Sequence, residues 1–269
     1  QQDLPDNATA ESILGGVNMS DNILLMHFDE TAANSAPGGH DAEDFSGQDN
    51  HGNETVALTY GDPGKYGTGI TFPGDGSGAG IETQINHPSY SGMVNNGVTV
   101  MAWVRPDYLT TPGPDDDGDI VSWYFSTGDE RSWSLQVRSG VPRFVACATG
   151  TIGSCVYATG PTTITNPTRE WYFFTGMWNG IHARVFLNAV EDDATPPAIA
   201  TLHNNTGRGI RIGRNSATDE WNGTIDEVAV FARPLSDAEI LDHYKRGALK
   251  LNLTLKTCND DVCAGDNYV

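Results

Sequence analysis

Apolar and polar positions alternate in short runs along most of this chain. Leu24, Met26 and Phe28 alternate with Leu25, His27 and Asp29; Val98, Val100, Ala102 and Val104 alternate with Thr99, Met101, Trp103 and Arg105. A period of two places one row of side chains on each face of a strand. The pattern predicts strands over residues 22–29, 55–60, 69–72, 80–84 and 98–105. A meander follows over 120–126, 133–138 and 143–148. Residues 171–178 and 182–187 read as a hairpin, because Asn179-Gly180 between them carries the signal of a type I′ turn. Further strands are predicted over 198–203, 209–213 and 224–231. Gly, Pro, Asn and Asp cluster between the runs. Many short strands separated by turn residues imply an all-β antiparallel two-sheet sandwich.

A different period appears once, near the end. Asn222-Gly223 reads as a turn, and Arg233-Pro234 ends the strand that follows it. Ser236 is then placed as a helix N-cap, with Glu239 as its capping-box partner and Leu235 and Ile240 as a hydrophobic staple. Asp237 and Glu239 suit the positive end of the helix dipole, Lys245 and Arg246 the negative end. Ile240, Leu241 and Tyr244 share one face. Gly247 is expected to end this short peripheral helix, 236–246, in the left-handed conformation.

The stretch NGTIDEVAVFARPLSDAEILDHY resembles the closing segment of laminin G-like jelly-roll domains of the concanavalin A-like superfamily. HFDE (27–30), DFSGQDNHG (44–52), GKYGTGITFPGDG (64–76), GVTVMAWVRP (97–106), EWYFFTGMWNGIHARVFLN (170–188) and GIRIGRN (209–215) match in the same order. The resemblance spans residues 22–246 and implies a jelly-roll sandwich, with an origin in a prokaryotic surface protein, archaeal or bacterial. It does not fix function, since the fold hosts lectins, adhesins, spacer modules and glycosidases.

The resemblance also implies one structural Ca²⁺. In this superfamily the closing-strand Asp helps hold calcium with oxygens near the first strand and a glycine-led strand. Here those positions are Asp226, Asp29 beside Glu30, and Gly69 at the end of 67–69. Alternation places Asp226 in the row of Val228 and Val230, where a buried carboxylate needs compensation. The rival reading is an Asp at a strand end, hydrogen-bonded to loop amides. His27 has no nearby His or Cys at ligand spacing and reads as structural. The acidic loop PGPDDDGD lacks the spacing and terminal Glu of an EF-hand.

Charge and length narrow the rest. The chain has 269 residues and a net charge of −20, which argues against a nucleic-acid partner and suits solubility in salt or divalent cations. No apolar run approaches the ~18 residues of a membrane helix. The start at Gln1-Gln2 reads as that of a processed protein. Cys147 and Cys155 flank ATGTIGS, which resembles a hairpin tip, and Cys258 and Cys263 flank NDDV. Two short-range disulfides would imply an oxidising, extracellular compartment; a zinc site is the rival, though the two pairs lie far apart in sequence. Asn7, Asn18, Asn53, Asn204, Asn222 and Asn252 each open an Asn-x-Ser/Thr glycosylation triplet, in keeping with export.

Three segments are expected: a polar leader or docking arm at 1–21, the sandwich at 22–246, and a tail at 247–269. In the tail Leu249, Leu251, Leu253 and Leu255 alternate with polar residues. It reads as an assembly strand or the start of another domain. The laminarinase-type glucanases of this superfamily carry Glu-x-Asp-x-Glu on one strand, and this chain has no such motif. The expected function is a non-catalytic surface module that binds a glycan or a surface protein, or that builds a homo-oligomer, array or filament. The alternative is a carbohydrate-active enzyme or its accessory binding module. Trp123, Trp133 and Trp221 are candidates for stacking on sugar, with core packing as the competing role.

Overall fold

The computed structural model describes residues 17–248, apart from 86, 108–117, 165–168, 194, 206 and 216–218. Two antiparallel sheets face one another. One holds β1 (Asn22–Met26), β3 (Thr59–Pro63), β4 (Thr68–Pro73), β6 (Val98–Pro106), β11 (Tyr172–Trp178), β12 (Ala183–Leu187), β13 (Val190–Glu191) and β15 (Asn222–Phe231). Its order is β13-β12-β11-β6-β15-β4-β3, with β1 also on β15. The other holds β2 (Gly52–Glu54), β5 (Ile81–Thr83), β7 (Gly118–Phe125), β8 (Glu130–Arg138), β9 (Val141–Gly150), β10 (Cys155–Thr159) and β14 (Arg211–Ile212). Its order is β10-β9-β8-β7-β14-β5-β2. This is the expected two-sheet sandwich.

The main core lies between the sheets. Leu24, Phe72, Val100, Val104, Phe174, Ile225 and Val230 meet Trp123, Trp133, Leu135, Phe144 and Ile212 there. These are the inward rows that alternation marked. Trp123, Trp133 and Trp221 are all essentially unexposed, so packing is their role. A second apolar cluster covers the outer face of the eight-stranded sheet. Met101, Trp103, Phe173, Ala229 and Phe231 pack there under Leu235 and Ile240. The helix α2 (Asp237–Ala248) supplies Ile240 and Tyr244, whose ring stacks 5.6 Å from Trp103. Part of the outer face of the sheet is therefore buried too, which is why Met101 and Trp103 stand in the outer row of 98–105.

The capping box forms as expected. The Glu239 N–H donates to Ser236 Oγ at 3.3 Å, and the Ser236 N–H donates back to Glu239 Oε2 at 2.8 Å. Arg233 clamps the same carboxylate at 2.8 Å and holds Glu239 down to about 2. The helix continues to Ala248, past the glycine expected to end it; an Ala after Gly247 is a strong helix former. A second short helix, α1 (Ser91–Asn96), was not expected.

Several strand expectations shift. Residues 55–60 are mostly a connection, with β2 before them and β3 beginning at Thr59. Ala198 makes only an isolated bridge to His182, and no strand runs over 199–203. The Asn179-Gly180 link is no type I′ turn: Gly180 has φ 88, but Asn179 is not left-handed. Instead Asn179 Oδ1 accepts from the N–H groups of Ile181 and His182. Asn222 and Gly223 lie inside β15 rather than in a turn before it. Gly223 has φ 136, and a Cβ there would come 2.2 Å from the Arg105 carbonyl oxygen.

Candidate functional site

Asp226 sits where one strand edge changes partner. Residues 222–225 of β15 pair with β4, whereas 228–231 pair with β1 on the same side. At the handover the ladder to β6 slips, so that Asp226 faces Trp103 and Ala229 faces Met101. The extra residue is Glu227, at φ 52. The bulge reverses the alternation. Ile225, Val228 and Val230 all enter the main core, and Asp226 is not in their row as expected but on the opposite face. It is nonetheless fully buried.

Its compensation is the turn entering β4. The N–H groups of Lys65 and Tyr66 donate to Asp226 Oδ2 at 2.7 and 2.9 Å, and that of Glu227 donates to Oδ1 at 2.9 Å. Asp29 holds the next residues, accepting from the Thr68 N–H at 2.9 Å. Gly67 has φ 44, and a Cβ on it would lie 2.1 Å from Asp29 Oδ1. Gly69 backs onto β15, where a Cβ would meet Thr224 and the Ile225 carbonyl oxygen. Phe28, a bulky residue at φ 58, turns the chain into this junction. So Asp226, Asp29 and Gly69 do converge. Burial pushes Asp226 up to about 8, with Glu227 adding to the rise and the Tyr66 and Lys65 amides opposing it. An under-compensated buried carboxylate suits a cation. The amides do not, because an N–H offers no lone pair to a metal. Among the described residues no three His, Cys, Asp or Glu side chains gather to hold an ion. Beside the junction His27 Nδ1 lies 2.9 Å from Glu227, a structural pairing that raises the imidazole pKa.

Asp119 is a second buried carboxylate, on the outer face of the seven-stranded sheet. Ser134 and Gln136 donate to its Oδ1, and Arg138 and Asn215 each donate to Oδ2 at 2.8 Å. Burial pushes it up to about 6 despite Arg138. With four donors it is a structural hub rather than an acid poised over an open site.

Two open sites lie at the end of β7. One cavity of about 380 Å³ is lined by Phe125, Ser126, Thr127, Arg208, Arg211, Arg214 and Asn215. Another of about 370 Å³ is lined by His87, Pro88, Tyr90, Ser91, Trp123, Asn204 and Asn205. They adjoin through Trp123, whose Nε1–H donates to the Arg208 carbonyl oxygen at 3.2 Å and whose own carbonyl accepts from Asn205 at 2.7 Å. Neither cavity has an Asp or Glu among its described lining residues. The arginines were missed in the sequence. The available signal was their density: three of 15 basic residues fall within 208–214.

Cys147 and Cys155 face each other across β9 and β10 and are bonded, with Cα atoms 3.9 Å apart. Cys258 and Cys263 lie outside the described residues, as do Asn7, Asn252, the strand predicted over 249–255 and the Asp-rich part of PGPDDDGD. Asn18, Asn53 and Asn204 are exposed, whereas Asn222 is half-buried in β15 with its triplet's Thr224 fully buried. No described helix is long and apolar enough to cross a membrane.

A family model described as concanavalin A-like lectin/glucanases superfamily matches residues 75–241. The chain belongs to this superfamily. No curated relative matches its sequence. Among solved structures the concanavalin A-like sandwich is similar to the binding domain of botulinum neurotoxin DC, in complex with SialylT. The TM-score is 0.64 at 15% identity, over 88% of this chain and 54% of that one. It is also similar to domain 4 of AbnA, a GH43 extracellular arabinanase from Geobacillus stearothermophilus, in complex with arabinotriose. Here the TM-score is 0.58 at 18% identity, over 82% of this chain and 97% of that one. A further structure of the neurotoxin DC binding domain, with rat synaptotagmin II, has a TM-score of 0.63 at 14% identity, covering 88% and 54%. The chain spans about half the length of the neurotoxin domains it matches. At these identities the likeness is one of fold.

Proposed function

We propose that this chain is a non-catalytic glycan-binding module of an extracellular surface protein. The observation that carries the reading is the pair of neighbouring cavities at the end of β7, one of about 380 Å³ and mostly polar, the other of about 370 Å³ and mostly apolar. Both fall in the ~300–1,000 Å³ range of ligand pockets. They offer hydroxyl, amide, imidazole and guanidinium groups, which are the partners sugar hydroxyls need. Glycoside hydrolysis in most families needs two carboxylates flanking the scissile bond. None of the described lining residues supplies one. Two of the structural relatives are described with a sugar ligand and one with a protein, which supports a glycan as one class of partner. The Cys147–Cys155 bond fits an extracellular setting.

A glycan array followed by isothermal titration tests this reading. Micromolar to millimolar binding is expected, with backbone amide shifts centred on 87–91, 125–127 and 204–215. Binding confined to other faces would refute the assignment, and release of reducing ends from a bound glycan would restore the enzyme alternative.

The under-compensated Asp226 motivates a second reading, structural calcium at Asp226, Asp29 and Gly69. Carbonyl oxygens of the 64–68 turn would have to replace its amides around the ion. Calcium at one hundred times its dissociation constant would add ~2.7 kcal/mol of stability. An identical melting temperature in calcium and in chelator would reject it. Assembly into oligomers or filaments through the terminal segments is a separate proposal. A chain cut after Ala248 that still folds but no longer associates would support it; unchanged association would reject it.

A further inference from the structure

The seven residues around Phe125 form a cationic pocket in an acidic protein. The chain carries 35 Asp and Glu against 15 Lys and Arg. Three arginines nevertheless converge on one cavity of about 380 Å³ with no described carboxylate in its lining. Among the described residues only Glu82, from β5, makes an ion pair with one of them, 3.1 Å from Arg211 Nε.

Each guanidinium is held in place, and each keeps donors to spare. Arg208 and Arg211 lie over the Phe125 ring, 4.8 and 4.1 Å from its centre. Arg211 Nη1 donates to the Asn215 carbonyl at 2.7 Å, leaving Nη2 without a described partner. Arg214 Nη1 is tied to the Gly78 carbonyl and to Thr55 Oγ1, while its Nε is buried and unpartnered. Among the described residues the Arg208 guanidinium contacts only the Phe125 ring. Holding three like charges together and leaving a buried N–H unsatisfied are both unfavourable. Burial and the charges of Arg214 and Arg208 depress Arg211, against the pull of Glu82. An anion in the cavity would relieve the repulsion among the three guanidinium groups.

We infer that the Phe125, Arg208, Arg211 and Arg214 pocket seats an anionic sugar residue, one carrying a carboxylate or a sulfate. This rests on the glycan-module reading above and names the class of glycan. Guanidinium forks match such oxyanions in bidentate geometry, and here their planes are already set by the Phe125 ring and by backbone carbonyls. Ser126 and Thr127, exposed at the mouth, provide hydroxyls for the sugar's own hydroxyl groups. The adjoining cavity beside Trp123 has room for a neighbouring, uncharged residue of the same glycan. A nucleic acid does not fit. The net charge of −20 repels a polyphosphate chain, and the Phe125 face that could stack on a base is already covered by guanidinium.

The test titrates the described protein, with chelator present, against matched pairs: lactose with 3′-sialyllactose and lactose 3′-sulfate, and trigalacturonate with its methyl ester. The acidic members are expected to bind at least tenfold more tightly than their neutral partners, with an affinity that falls as salt rises. Arg208→Gln should weaken acidic binding by about tenfold to a hundredfold, the range for a hydrogen bond to a charged group. It should not lower the melting temperature, and it should weaken neutral-sugar binding by much less than acidic binding. Arg208→Lys keeps the charge without the fork and should lie between. Equal binding of neutral and acidic partners would overturn the inference and leave the module reading standing. Acidic binding that ignores both Arg208 variants would also overturn it, since the anion would then sit elsewhere. Failure of every sugar, charged or neutral, would remove the module reading itself.

Discussion

Replacing Asp226 by Asn isolates the electrostatics of the β1–β4–β15 junction. The carboxylate is fully buried and pushed up to about 8, from 3.8 in an open chain. A folded-state pKa above the unfolded one means the native state holds a proton that the unfolded state has released. This contribution is therefore fully present below about pH 4 and is lost as pH rises towards 8. One proton corresponds to about 1.4 kcal/mol per pH unit, so the whole window is worth on the order of 5 kcal/mol. That is a large share of the ~5–15 kcal/mol of a typical domain. Asn cannot titrate. Its carbonyl can still accept from Lys65 and Tyr66, but its NH₂ would face the Glu227 N–H now bound to Oδ1. That mismatch costs about 1–3 kcal/mol. At pH 5 the variant should therefore be less stable than the parent, and by pH 8.5 the two should converge or cross. Urea unfolding followed by tryptophan fluorescence, in chelator at half-unit steps from pH 5 to 8.5, measures this. Glu227 raises the His27 pKa and adds a pH dependence common to both proteins, so the informative quantity is the difference between them. Parallel profiles would refute the account of Asp226. Calcium that flattens the parent profile alone would place the ion at this carboxylate.

Four other outcomes are expected. Changing both Cys147 and Cys155 to Ser should lower stability by about 2–3 kcal/mol, the loop-closure value for a bridge eight residues apart, read by denaturant midpoint without reductant. Ser236→Ala should cost ~1 kcal/mol by removing the cap on the Glu239 N–H, seen as a drop of a few degrees in melting temperature. Gly67→Ala should destabilise through its positive φ and the 2.1 Å approach to Asp29, and Asp29→Ala in the same chain should restore part of the loss; no loss in the single variant would contradict the turn geometry. Glu239, held down to about 2 by Arg233, contributes stability that is present above its ordinary 4.5 and lost as pH falls through 2, so Glu239→Gln should flatten the acid limb of unfolding.

The parts of the fold that were legible are those that local chemistry decides. The Val98, Val100, Ala102 and Val104 row alternates over a nine-residue strand, and Ser236 with Glu239 needs only three residues of spacing to cap a helix. The edge strands were harder. β3 is exposed or half-exposed along its whole length and buries no residue, so TYGDP offered no apolar row to read. Asp226 was found, but on the wrong face, because a bulge is a backbone event that the side chains of Asp-Glu-Val do not announce. The arginine pocket needed the fold outright. It depends on β7 pairing with β14, which brings Ser122 opposite Arg211 across a long stretch of sequence.

Glu227 also bears on how this strand can change length over evolutionary time. In a regular strand the loss of one residue turns every later side chain over, and the protein seldom survives it. Glu227 takes no rung of the ladder: Asp226 and Ala229 face residues only two apart on β6. Its loss would leave Ile225 and the Val228–Phe231 half in phase on both faces, at the expense of the partner of His27 and of one amide on Asp226. The handover between β4 and β1 is thus a splice point, where this strand can gain or shed a residue while the two hydrophobic rows on either side continue unbroken.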